Sequence, residues 1–175
     1  MTLAVVQPDP SHDLLHRAQE LGHEARVQLG DHASLKLWLR LLACTTQVET
    51  EIRKRLRGRF GISLARFDYM AQLYRHRGGL KMKALSRCLM VTGGNVTGLT
   101  DELERDELVV REQDPADRRS SLVRLTPKGR RVFESMAKEH ENWILELLGN
   151  LDAEAVQQLY HALGRLRVQM VANSA

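Results

Sequence analysis

Apolar and polar positions along the chain fall into stretches of helical period, interrupted once by a short stretch of strand character. From Ser34 to about Arg57, Trp38, Leu41, Leu42, Thr45, Val48, Ile52 and Leu56 lie on one side at i, i+3, i+4, i+7 spacing, which predicts a long amphipathic helix. Ser63 then caps a second helix with Phe67, Met70, Ala71 and Tyr74 on one face, ending at Gly78-Gly79. A short helix follows over about Lys81 to Leu89. A further one, capped by Thr92, runs from Gly93 to Asp106 with Val96, Leu99 and Leu103 inward. The period then changes. Leu108 to Arg111 and Ser121 to Leu125 are β-prone runs flanking the charged, turn-rich segment Glu112 to Ser120, which predicts a hairpin with a long tip. Thr126-Pro127 opens the next helix, with Val132, Met136, His140, Trp143, Ile144 and Leu147 along one face. Asp152 caps the last, whose stripe is Val156, Leu159, Tyr160, Leu163, Leu166 and Met170. Near the start, Pro8 and Pro10 keep residues 1–10 irregular. Ser11, with Asp13 in the first turn, caps an accessory helix to about Leu29 that carries Leu14, Leu15, Ala18, Leu21 and Ala25 and is weakened by Gly22 and Gly30.

Composition narrows the class. The 175 residues are 43% hydrophobic and 27% charged, enough for an apolar core without staples. The apolar groups are short and broken, so no transmembrane helix is expected. The acidic, Pro-containing start does not resemble a signal peptide. Two cysteines, Cys44 and Cys88, do not make a disulfide scaffold. A cytoplasmic protein with no membrane partner is the expectation. The net charge of +4 hides an asymmetry. Residues 36–87 carry 13 basic and 3 acidic side chains, residues 88–131 carry 8 of each, and both ends are acidic. A polyanion partner, or a solvated basic face that steers one, fits the basic block.

Two short helices joined by a tight turn and followed directly by a hairpin make a helix-turn-helix with a wing. The segment LSRCLMVTGGNVTGLTDELERDELVVREQDPADRRSSLVRLTPKG, Leu85 to Gly129, resembles the MarR family of winged-helix transcription regulators. Its most specific part is Asp114-Pro-Ala-Asp117-Arg118-Arg119 followed by Leu125-Thr126-Pro-Lys-Gly129. The resemblance covers about residues 34–171. It implies a mainly α fold: a winged helix-turn-helix domain with a two-stranded β-hairpin wing, and a helical dimerisation region built from N- and C-terminal helices. The domains expected are an N-terminal extension with an accessory helix (1–33), a first dimerisation helix (34–60), the winged DNA-binding domain (61–125) and C-terminal dimerisation helices (126–175). The apolar stripes of the last two helices agree with a homodimer, although packing against each other is the other use for them.

The resemblance also implies site residues. Arg119 matches the wing arginine that enters a minor groove, and Asp117 the carboxylate that orients it. Arg118 is expected on a phosphate, as are Lys83 and Ser86 from the preceding helix. In the recognition helix Gly93, Gly94 and Gly98 replace larger polar residues, so Thr92, Gly93, Asn95 and Thr97 are the residues expected to face double-stranded DNA, with Asn95 reading bases. Glu107 stands where a glycine is usual, at a position expected to require positive φ. A small aromatic or anionic effector is implied where the dimer helices meet the winged domain. Its expected walls are Trp38, Leu42, Phe67, Met70 and Tyr74, with Trp143 a further candidate, and plain core is the competing and more common use of each. Arg40 and Arg66 are the cations that suit a carboxylate or thioester. The run Arg53, Arg55, Arg57 and Arg59 suits the phosphates of a ligand such as an aromatic acyl-CoA. The stretch MVTGGNVTGLTDELE resembles regulators of aromatic-acid catabolism.

The expected function is a ligand-responsive, DNA-binding repressor released from a palindromic operator. Two other readings stay open: a thiol-based oxidant sensor using Cys44 or Cys88, and a DNA-free adaptor. Buried, inert thiols are the ordinary case for such cysteines. No enzyme, no cofactor and no metal are expected; the pair His12 and His16 lacks further ligands at matching spacing.

Overall fold

The computed structural model describes residues 17, 20, 22–26, 28, 30, 32–89, 92–114 and 117–173, and for residues 114 and 117–120 the backbone alone. The chain divides into two compact units between Arg55 and Leu56.

Among its described residues the first unit holds the 3-10 turn Glu24–Arg26 and most of the long helix α1, Ala33–Phe60. The accessory helix expected to reach Leu29 is not continuous. Gly22 adopts φ +68, and only one tight turn follows it. Ser11, Asp13, Leu14, Leu15, Ala18, Leu21 and Leu29 lie outside the described residues. Glu24 is buried, and its carboxylate accepts a 2.7 Å hydrogen bond from Nε of Arg40 on α1. The predicted buried line of α1 is also corrected. Ile52 and Leu56 of that line are buried, but Trp38 is 55% exposed, beside exposed Leu35 and Leu37, and Leu39 off the line is buried.

The second unit continues with α2 (Leu64–Arg75), β1 (Leu80–Lys81), α3 (Met82–Leu89), α4 (Gly93–Arg105), β2 (Val109–Asp114), β3 (Asp117–Leu125), α5 (Pro127–Leu147) and α6 (Ala153–Ala172). The helix starts follow capping chemistry. Ser63 Oγ accepts from the Arg66 amide, Thr126 Oγ1 from the Gly129 amide at 2.9 Å, and Asp152 from the Ala155 amide at 2.7 Å. Thr92 has the extended backbone of a cap, but its side chain makes no capping bond.

The sheet is antiparallel with order β1-β3-β2. The expected two-stranded wing therefore gains a third strand, because Leu80 and Lys81 pair with Val123 and Leu122. Gly79 makes this possible. It adopts φ +89, and a Cβ there would lie 2.9 Å from the Val123 carbonyl oxygen. Leu56, Met70, Leu73, Leu85, Val96, Leu103, Val123 and Met136 form the fully buried core. α5 contributes Phe133, Met136 and Trp143 to the buried set; Phe133 sits one position off the predicted stripe. No residue of α6 is buried, and its apolar stripe is open throughout. Among the described residues no helix is long and apolar enough to cross a membrane.

Candidate nucleic-acid interface

Helix α4 is held from one side. Val96, Thr100 and Leu103 are fully buried, while Gly93, Gly94, Asn95, Thr97 and Gly98 are all exposed. A Cβ at Gly93, Gly94 or Gly98 would meet nothing within 4 Å, so packing does not explain these glycines. The buried anchor is polar as well as apolar. Thr100 Oγ1 donates to the Val96 carbonyl at 2.6 Å, which makes the Tyr69 hydroxyl the donor in its 2.5 Å bond to Thr100. Burial raises the Tyr69 pKa and keeps it neutral. Thr92 is exposed, and without a side-chain cap the first-turn N–H groups of α4 stay available. Thr97 turns its hydroxyl back to the Gly93 carbonyl at 3.1 Å. On α3, Lys83 is exposed and Ser86 half-buried.

Beside α4 the wing runs through Val109↔Leu125, Arg111↔Val123 and Gln113↔Ser121 to the pair Asp114↔Asp117, with an irregularity between Gln113 and Asp114. Arg124 holds Glu112 across the strands, a pairing that raises its pKa. Asp117, Arg118 and Arg119 start β3. Their side chains lie outside the described residues. The wing base is closed by Thr126, whose amide donates to the Leu108 carbonyl at 3.1 Å and whose hydroxyl donates to the Glu107 carbonyl at 2.7 Å. Glu107 has φ 60, the left-handed conformation expected of that position. Lys128 Nζ reaches its carboxylate at 2.9 Å.

The effector residues divide. Phe67 and Tyr74 line a cleft of about 610 Å³ with Asp68, Ala71, Gln72, Arg75, Cys88, Leu89, Phe133, Ala137 and His140. Phe67 stacks on His140 at 4.9 Å between ring centroids, and Phe133 lies 4.9 Å from Tyr74. Burial lowers the His140 pKa, and Asp68 opposes the shift. Met70 is fully buried core and not part of this lining. Arg66 points elsewhere, to Asp106 and Glu102 at the end of α4. Arg40 is occupied by Glu24, Leu42 is half-buried, and Trp38 is exposed. Phe133 and Arg75 escaped the sequence reading. Phe67 with Tyr74 and Phe133 with His140 share an i, i+7 spacing on two helices, a pattern that was available as a signal.

The arginine run is largely matched. Arg53 pairs with Glu49, Arg55 with Glu51 at 2.7 Å and Arg59 with Glu139 at 2.9 Å; among the described residues Arg57 has no ion pair. Acids one turn back on the same helix thus hold Arg53 and Arg55, and an acid of α5 holds Arg59, while these acids leave most of the basic block's excess charge unmatched. Both cysteines are exposed rather than buried, and Cys88 lines the cleft. His12 and His16 lie outside the described residues, among which no group of metal-binding side chains occurs.

A helix-turn-helix whose second helix is exposed at its N-terminal half, followed by a stitched β-wing, defines a winged-helix protein. A MarR family model matches residues 60–120. The uncharacterized HTH-type transcriptional regulator YdgJ of Bacillus subtilis is 36% identical over 107 residues. That match covers 61% of this chain and 65% of YdgJ, just under two thirds of its length. The transcriptional activatory protein BadR of Rhodopseudomonas palustris is 29% identical, over 80% of this chain and 79% of BadR. The crystal structure of a MarR family transcriptional regulator from Silicibacter pomeroyi superposes with a TM-score of 0.68 at 33% identity, covering 78% of this chain and 94% of that one. The chain belongs to the MarR family, which comprises transcriptional regulators and not enzymes.

Proposed function

We propose that the protein binds double-stranded DNA as a homodimer, with α4 in a major groove and the wing arginines in the adjacent minor groove, and that it represses transcription until a small aromatic or anionic effector releases it. The carrying observation is the exposed face of α4. Asn95, Thr97 and three glycines stand clear of the core, on a helix whose N–H groups are uncapped and whose other side is anchored by Val96, Thr100 and Leu103. Glycines there let the helix backbone approach closely, while Asn95 has the amide geometry that pairs bidentately with adenine. Lys83 and Ser86 on α3, with Arg118, supply phosphate contacts in this reading; Asp117 orients Arg119. The open stripe of α6 supports the homodimer, since so many exposed apolar side chains call for a cover of the same kind.

The cleft between α2, α3 and α5 supports the effector. Its volume suits a small ligand, its walls are aromatic, and Arg75 supplies a cation at its edge. An aromatic acid, or its acyl-CoA thioester with the nucleotide outside the cleft, is the ligand class we propose. A second reading rests on the exposure of Cys88 in the same cleft: an oxidant or electrophile that modifies the thiol would act from the place an effector occupies. The domains then divide as extension, first dimer helix, winged domain and closing dimer helices, and the protein works in the cytoplasm where its operator is.

The test is footprinting of the upstream region, followed by titration with aroyl-CoA thioesters, free aromatic acids and peroxide. Protection of a palindrome, lost with one of these additions, is the expected result. Arg119→Ala lowers operator affinity by about 1–3 kcal/mol. Equal operator binding by wild type and variant removes the wing from the reading, and a footprint unmoved by every addition removes the effector.

A further inference from the structure

Helix α4 is charged in an unusual way. Gly93 to Thr100 carry no charge, whereas the end of the helix and the turn after it hold Asp101, Glu102, Glu104, Asp106 and Glu107 against one Arg105. Carboxylates at a helix C-terminus oppose the helix dipole. The compensation comes from three other elements. Arg66 of α2 pairs with Asp106 and lies 3.9 Å from Glu102. Arg111 of β2 pairs with Asp101 and lies 3.4 Å from Glu104. Lys128 of α5 donates to the Asp106 carbonyl at 3.0 Å and to the Glu107 carboxylate at 2.9 Å. The two arginines are not loose surface groups. Their Nε atoms are shut off from water and have no hydrogen-bond partner, and the Arg66 side chain is 16% exposed.

We propose that Arg66, Arg111 and Lys128 are positioning residues that, from three different elements, hold the end of α4 and the turn after it, so that its uncharged half meets base edges in one orientation and operator specificity depends on them. This rests on the DNA-binding reading of α4. Partly exposed ion pairs add little to global stability. Three cations from three elements on one helix end do remove its freedom to roll and tilt. Phosphate contacts tolerate a small tilt, whereas bidentate base contacts do not. The negative end also keeps the helix from lying along the phosphates in reverse.

The experiment begins with a duplex selected from a random-sequence library by the wild-type protein. Affinities for it and for a scrambled duplex of equal length are then measured for wild type, Arg66→Met, Arg66→Lys and the swapped pair Arg66→Asp with Asp106→Arg, together with thermal unfolding. Arg66→Met is expected to lose about tenfold on the selected duplex and less than about twofold on the scrambled one. Arg66→Lys recovers part of the loss as a point charge, and the swapped pair recovers less, because its new carboxylate approaches Glu102 and its new guanidinium approaches Lys128. Equal losses on both duplexes, or a fall in Tm with the affinity ratio unchanged, overturn the clamp. Should Arg66→Met not fold, Lys128→Met, at an exposed position, is measured for the same ratio, and no change in it is equally decisive. A wild-type protein that selects no duplex overturns the DNA-binding reading itself, a result separate from either.

Discussion

Helices α5 and α6 are neighbours in sequence, of 21 and 20 residues, each with a helical apolar stripe. Within one chain they end in opposite states. α5 buries Phe133, Met136 and Trp143, and its Gly129 is pressed so close to the backbone just before β2 that a Cβ would sit 1.9 Å from the Leu108 carbonyl oxygen. α6 buries nothing; Val156, Leu159, Leu163, Leu166 and Met170 are between 37% and 59% exposed. Periodicity reports that a helix has an apolar face, not what covers it. The cover of α5 comes from α2 and the last turn of α1, where Phe60 lies 6.3 Å from Trp143 and Phe67 lies 5.4 Å from Phe133. For α6 the proposed cover is a second chain.

The sharpest way to break the comparison is to charge the α6 stripe. Leu159→Asp with Leu163→Asp is expected to turn the dimer into a monomer by sedimentation. Operator affinity should fall by about 100-fold or more, because two linked winged domains bind far better than one. A double variant that stays dimeric and binds normally would place the interface elsewhere. Next comes the α5 face. Phe133→Ala is expected to cost about 3–5 kcal/mol in chemical unfolding while leaving the association state unchanged, since its neighbours are intramolecular. A loss below about 1 kcal/mol would mean that the site collapses without a cavity.

The smallest effect concerns pH. Burial holds the His140 pKa below that of an ordinary imidazole, with Asp68 opposing. The unfolded chain therefore takes up this proton first as the pH falls below about 6.5. Stability is fully present above that value and is lost as the pH drops towards the folded pKa. His140→Phe, which keeps the ring stack on Phe67, is expected to flatten the fall in Tm between about pH 7 and pH 5. An unchanged slope would show that His140 is solvated.

Helix order and the caps at Ser63, Thr126 and Asp152 were legible because each is a local property with a local chemical cause, whereas the positive φ of Glu107 was expected only from the family resemblance, which puts a glycine there. The strand Leu80–Lys81 was not; two residues carry no period, and their pairing is fixed by Val123 and Leu122 some forty positions away. Ile52 and Leu56 hold the predicted face of α1 while Trp38 on the same face is exposed, because a pattern marks an apolar face and not where along the helix it is covered. Arg66 was read as a ligand cation because its partners, Glu102 and Asp106, approach only through the tertiary fold. Of the recognition helix, the exposed set Thr92, Asn95 and Thr97 follows the anchors Val96 and Leu103 directly. The aromatic cleft needed α2 and α5 brought together.

The closure at the base of the wing has a wider consequence. Thr126 ties itself to Glu107 and Leu108, and Gly129 leaves no slack against the same backbone. The hairpin between them is thus a sealed cassette whose two ends are held at a constant separation by groups outside it. Lengthening or recoding the tip between Gln113 and Ser121 need not disturb the helices, whereas one inserted residue at 107–108 or 126–129 would break the seal. Changes confined to the tip are therefore mechanically uncoupled from the packing of the helices, and the core tolerates them whatever the tip touches.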